Sequence, residues 1–202
     1  MYLSRGETTL LGMKAQLSIS LANFPLSPAP PRVLLGILKN HDHNGLTELI
    51  ARLALRGPFH LITGGLWLPD QDGLRRSVRW YTTEVEETLD HPILGRPSTC
   101  LQMLDQLDSA DFQDHPILIL DFLHFFYDPD VDFALRQRVL EQCCQCLRQL
   151  ARSKPVVVLV YHLVMDEYQF FFPILESVAD EIIEVQESAA LPASQLSLWG
   201  AS

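Results

Sequence analysis

Apolar and polar positions follow two rhythms along this chain. Apolar runs occur at Val33–Leu38, Ile117–Leu120 and 155–161, and shorter, mixed stretches at Phe59–Thr63 and 181–185 read as further short strands. Runs this short and this apolar predict strands buried on both faces. Between them, apolar residues recur at helical spacing. Leu49, Ile50, Leu53 and Leu55 do so after Thr47, and Gly57-Pro58 stops the pattern. Further helical patterns run over 73–80, from a Ser98 N-cap to Leu107, and over 132–152 with Leu135, Val139, Leu140, Leu147 and Leu150. The acidic stretch 82–87 predicts an exposed segment, 95–97 a turn, and 168–179 is mixed. Alternation at 16–22 predicts an extra edge strand, and the Pro- and Ser-rich stretch 25–31 predicts a linker. Strands alternating with helices imply βαβ units. The expected fold is an α/β domain with a mainly parallel central sheet covered on both faces. The chain divides into an arm at 1–31, the domain at 32–187 and a tail from 188 to 202 expected to be mobile.

Charge and cysteine usage narrow the function classes. The 202-residue chain is long enough for a sizeable core, and its formal net charge is −10. That balance disfavours free, nonspecific nucleic-acid binding, which needs clustered Lys and Arg. Arg75, Arg76 and Arg79 form the densest basic group and read as a solvated helix face. Cys100, Cys143, Cys144 and Cys146 lack the spacing of a tetrahedral metal site and read as buried reduced thiols. Reduced thiols and the absence of a recognisable leader or a long apolar span make a cytoplasmic protein, with no membrane partner, the expectation.

The order strand, loop, helix, then a strand ending in acid carries the most chemistry. The loop reads Asn40-His41-Asp42-His43-Asn44-Gly45-Leu46-Thr47, and the later strand ends in Asp121. Against G-x-x-x-x-G-K-[ST] the loop keeps Gly45 and Thr47. It places Asn40 at the first Gly and Leu46 at the Lys. Over 33–186 the order and lengths resemble the ATPase core of the RecA/RadA/KaiC group, with a degenerate Walker A loop. The resemblance implies a three-layer RecA-like domain and a vestigial nucleotide site at Gly45, Thr47, Asp121 and His162. Thr47 would hold Mg²⁺ or serve only as a first-turn helix residue. Asp121 matches the Walker B acid, or caps a turn. His162 matches a γ-phosphate sensor, or is a surface histidine. Gly65 falls where the water-activating Glu belongs. Losing the Lys and the Glu removes two terms that typically contribute about 10²- to 10⁴-fold each.

Other constellations are weaker. His41-x-His43 with Asp121 is a conceivable metal set, or an exposed polar turn. Asp128-x-Asp130-x-Asp132 lacks the Gly and Glu of a calcium loop and suits a helix N-terminus. Asp114-His115 and Asp121-x-x-His124 are weak acid/base pairs, and the aromatic stretch 165–172 suits a protein interface or core helix better than base stacking. The leading expectation is a non-catalytic RecA-like paralogue working through a protein partner or self-association. The resemblance implies a place in DNA recombination or repair, with DNA reached through a complex. The alternatives are an atypical ATPase using His41, His43 or Asp121 with ATP and Mg²⁺, and a nucleotide or anion sensor without hydrolysis.

Overall fold

The computed structural model describes residues 17–20, 32–39, 43–64, 70–109, 111–161 and 168–186. In chain order the elements are β1 (Leu17–Ser20), β2 (Val33–Leu38), α1 (His43–Ala54), β3 (Phe59–Thr63), α2 (Gln71–Arg79), α3 (Val85–Leu89) and β4 (Pro92–Gly95). They continue with α4 (Cys100–Ser109), β5 (Ile117–Leu120), a 3-10 helix (Phe122–Phe126), α5 (Phe133–Leu150), β6 (Val156–Tyr161), α6 (Tyr168–Val178) and β7 (Glu181–Gln186). The seven strands form one sheet in the order β1-β7-β2-β6-β5-β3-β4, and every neighbouring pair is parallel.

Alternate strand residues feed two cores, which makes the fold three-layered. Val33, Leu35, Ile37, Ile117, Ile119, Val156, Val158 and Val160 face the layer of α4, α5, α6 and the 3-10 helix. Leu34, Leu38, Leu118, Leu120, Val157 and Leu159 face α1 and α2. Every residue of β2, β3, β5 and β6 is buried, His60 and Thr63 of β3 among them.

The strands and long helices lie close to where the pattern puts them. The alternating stretch near 16–22 is indeed an edge strand, laid parallel on β7. The acidic stretch 82–87 is largely exposed, as expected, and contains the start of α3, a five-residue helix whose Thr88 hydroxyl donates to the Glu84 carbonyl. Two local readings are corrected. Gly95, read as part of a turn, ends β4, a strand that Pro92 and its four-residue length disguise. The cap of α4 is Thr99, not Ser98. Thr99 Oγ1 accepts the Gln102 N–H, and Gln102 Oε1 accepts the N–H of Ser98, one residue before the cap. The tail from 188 lies outside the described residues.

The topology also marks an edge for ligands. α1 leaves β2 on one face and α6 leaves β6 on the other, and β2 and β6 are neighbours. Adjacent strands whose crossovers part to opposite faces form a switch point. Ligands of open α/β sheets sit beyond the carboxyl ends there.

Candidate functional site

The switch point coincides with the candidate phosphate loop. α1 begins at His43, and Leu46 is 1% exposed, packed into the core beneath the sheet with Leu34, Leu38 and Leu159. The residue at the lysine position is therefore a core side chain. Thr47 is also buried, and its Oγ1 donates to the His43 carbonyl at 2.8 Å, a bond within its own helix. Gly45 is half-buried in the first turn. Asn40, His41, Asp42, Gly65 and His162 lie outside the described residues, so the loop motif, the His41/His43/Asp121 set and the sensor position are not joined into a measured geometry. Among the described residues no group of three or more His, Cys, Asp or Glu could hold a metal ion.

Asp121 is placed first by backbone demands. The chain turns directly from β5 into the 3-10 helix. Asp121 takes the left-handed conformation (φ 52°, ψ 47°) that short polar side chains tolerate better than most. Its carbonyl accepts the His124 N–H at 3.0 Å, closing the first turn. Its carboxylate Oδ2 lies 3.9 Å from His124 Nδ1, so one of the weak acid/base pairs is at least juxtaposed.

Beyond Asp121 the edge fills with hydrocarbon. Phe122, Leu123, Phe125 and Phe126 are all buried. The Phe125 ring lies over Gly64 at the end of β3, where a Cβ would come within 2.5 Å of Phe125 Cζ. An aromatic ring thus covers the end of β3. Arg136 fixes this cap from α5. Its Nη1 donates to the Phe126 carbonyl at 2.8 Å, and its guanidinium sits 5.7 and 5.8 Å from the Phe133 and Phe171 ring centroids. Arg136 is 4% exposed, and its charge complements the carboxyl end of the 3-10 helix. Nothing in the helical pattern distinguished it from the exposed arginines Arg138 and Arg148.

A second polar cluster lies at the opposite, amino-terminal end of the strands. His60, at the start of β3, is buried, with its ring 4.9 Å from Phe112 and 6.0 Å from His115. Its Nε2 has no hydrogen-bond partner among the described residues. Burial pushes its pKa below 6.5, and the nearby His115 and Lys154 add to the shift. A hydrogen bond from the ring to the Phe112 backbone carbonyl and the Asp111 charge oppose it. Lys154 is buried beside an open depression lined by Asp111, Asp114 and His115. The mixed charges give this depression no single ligand class. Sequence reading missed His60 because it sits inside an apolar run.

The remaining candidates resolve into structural roles. Asp128 accepts the Asp130 N–H in a local turn, and Asp132 Oδ1 caps α5 by accepting the Leu135 N–H. Arg75 pairs with Glu86, and Arg76 Nη2 lies 3.7 Å from Asp70 Oδ2, so two of the three helix arginines are charge-compensated. All four cysteines are free. Burial raises the pKa of each, that of Cys144 to about 12, which keeps them as unreactive thiols. No helix among the described residues is long and apolar enough to cross a membrane. No protein-family model matches the chain, and no curated protein matches it.

Proposed function

We propose that this chain is a non-catalytic, RecA-like domain that acts through protein contacts. The carrying observation is Leu46: the position that would supply a phosphate-binding lysine is a 1%-exposed core residue. The Phe125 ring over Gly64 supports the same reading, because it covers the strand end where hydrolysis would need its base. The alignment of β2, β6 and β5 in the sheet supports the RecA-like frame. It sets side by side the carboxyl ends that precede the loop, His162 and Asp121.

A role in DNA recombination or repair follows from the resemblance alone. The net charge of −10 and the paired arginines of α2 favour a partner protein, rather than this surface, as the contact with DNA. One observation favours the sensor reading as runner-up. The first turn of α1 holds no acidic residue, so its N–H groups suit an anion.

Calorimetric titration with ATP and Mg²⁺ tests the proposal on wild type, Thr47→Ala and Asp121→Ala proteins. No saturable heat is expected up to about 1 mM ligand. Saturable binding that either substitution abolishes overturns the proposal and restores the nucleotide readings.

A further inference from the structure

Among the described residues β4 closes one side of the sheet with no strand on its outer edge, and that edge is apolar. Ile93 is 43% exposed and Leu94 51%. Single exposed aliphatics are ordinary, but two in a row on a sheet edge make a template for another strand. The ladder fixes which backbone groups face outward. The Phe59 N–H donates to the His91 carbonyl at 3.3 Å, and Leu61 aligns with Leu94 in the parallel register. His91, Ile93 and Gly95 therefore turn their polar groups towards β3, and Pro92 and Leu94 turn theirs outward. Pro92 has no N–H to leave unpaired, so the outer edge offers the Leu94 N–H and the carbonyls of Pro92 and Leu94.

Charge along this edge is self-complementary. Asp90 is exposed just before the strand, and Arg96 is exposed just after it. Neither forms an ion pair among the described residues. Two copies of β4 laid antiparallel, Leu94 opposite Leu94, exchange two N–H to carbonyl bonds at the centre. Antiparallel pairing also brings the Asp90 end of each copy, at the close of α3, to the Arg96 end of the other, and both residues lie on the same face of the sheet. Beside the edge on that face is a cavity of about 320 Å³, lined by Leu74, Leu89 and Leu94 and rimmed by Asp90 and Arg96. A strand added to a sheet edge takes affinity from its backbone and specificity from such a side-chain pocket.

We propose that β4 is the interface for a second copy of this chain, paired antiparallel about a two-fold axis at Leu94 with Asp90 and Arg96 matched across it. The inference deepens the reading of this protein as one that works by association, and rests on it.

Sedimentation equilibrium of the full chain tests it, at about 5 to 100 µM protein and about 0.15 M salt. Wild type is expected to show a concentration-dependent dimer. Leu94→Glu, which sets two carboxylates face to face, should be monomeric. Arg96→Asp should weaken the dimer about tenfold, and Asp90→Arg with Arg96→Asp should recover it. Phe170→Glu, at an exposed aromatic of α6 on the other face, should leave the dimer intact. Circular dichroism and melting establish that each variant folds. If Leu94→Glu does not, the surface charge reversal and its double swap decide alone. A wild type that stays monomeric, or a dimer indifferent to both Leu94→Glu and Arg96→Asp, overturns the interface. Neither result touches the ATP titration, and ATP binding would overturn the functional reading while leaving this interface standing.

Discussion

The two ends of the sheet are filled in opposite ways. At the carboxyl ends, where an α/β fold places its ligand chemistry, the described space holds Leu46, Phe125 and a backbone-strained Asp121. At the amino ends, where that rule expects nothing, His60, His115 and Lys154 gather around an open depression. A buried polar residue is therefore a poor guide to chemistry when its place in the topology is ignored. His60 is accounted for as a neutral ring packed on Phe112. Asp121 is accounted for as a turn residue before any metal is invoked.

The comparison can be broken most forcefully at the aromatic cap. Phe125→Ala should cost about 3 to 5 kcal/mol of stability by leaving a cavity over Gly64, read from denaturant unfolding. If the ring only fills space, the variant still binds no ATP. If it occludes a latent site, binding emerges in the folded variant.

Gly64→Ala approaches the same contact from the other side. A Cβ at 2.5 Å forces the ring to move, with an expected loss of about 1 to 3 kcal/mol. Phe125→Leu should return part of that loss. Equal loss with and without the smaller side chain would show that the clash is not with the ring.

Asp121 offers a smaller and sharper test. Asp121→Gly relieves the left-handed strain and should melt near the wild-type temperature, and Asp121→Ala should lose about 1 kcal/mol. A glycine variant as unstable as the alanine variant would show that the carboxylate, not the backbone, is what the turn needs.

The amino end should answer to pH instead. The folded His60 binds its proton less readily than the unfolded one, so its contribution to stability is fully present above pH 6.5. It is lost as pH falls through the lowered folded value. Melting temperature followed from pH 8 to 5 should therefore fall more steeply for wild type than for His60→Phe. Parallel curves would assign the acid sensitivity to other groups.

The sequence made the strands legible because burial on both faces leaves an apolar run that nothing else in the chain imitates. It hid β4 because an edge strand of four residues with a proline carries neither alternation nor an unbroken run. It hid α3 because acidic helix starts and exposed loops share a composition. For the candidate site, the sequence shows Leu46 where the loop motif asks for Lys, but the place of that leucine in the core needed the register of α1 against the sheet. The contact of Phe125 with Gly64 joins the end of one strand to the turn after another, and no local pattern encodes it. Arg136 was equally silent, since its burial depends on three aromatic residues from two helices and the 3-10 helix.

The strand order has a consequence for how the molecule is made. β1, the first described strand, pairs only with β7, the last, and β2 lies between β6 and β7 in the middle of the sheet. While the chain leaves the ribosome, β2 has neither sheet neighbour until most of the domain has been synthesised. β1 has none until the end. The apolar β2 thus waits for β6, and closing the sheet brings together distant parts of the chain. Such non-local pairing favours late and slow assembly of the sheet.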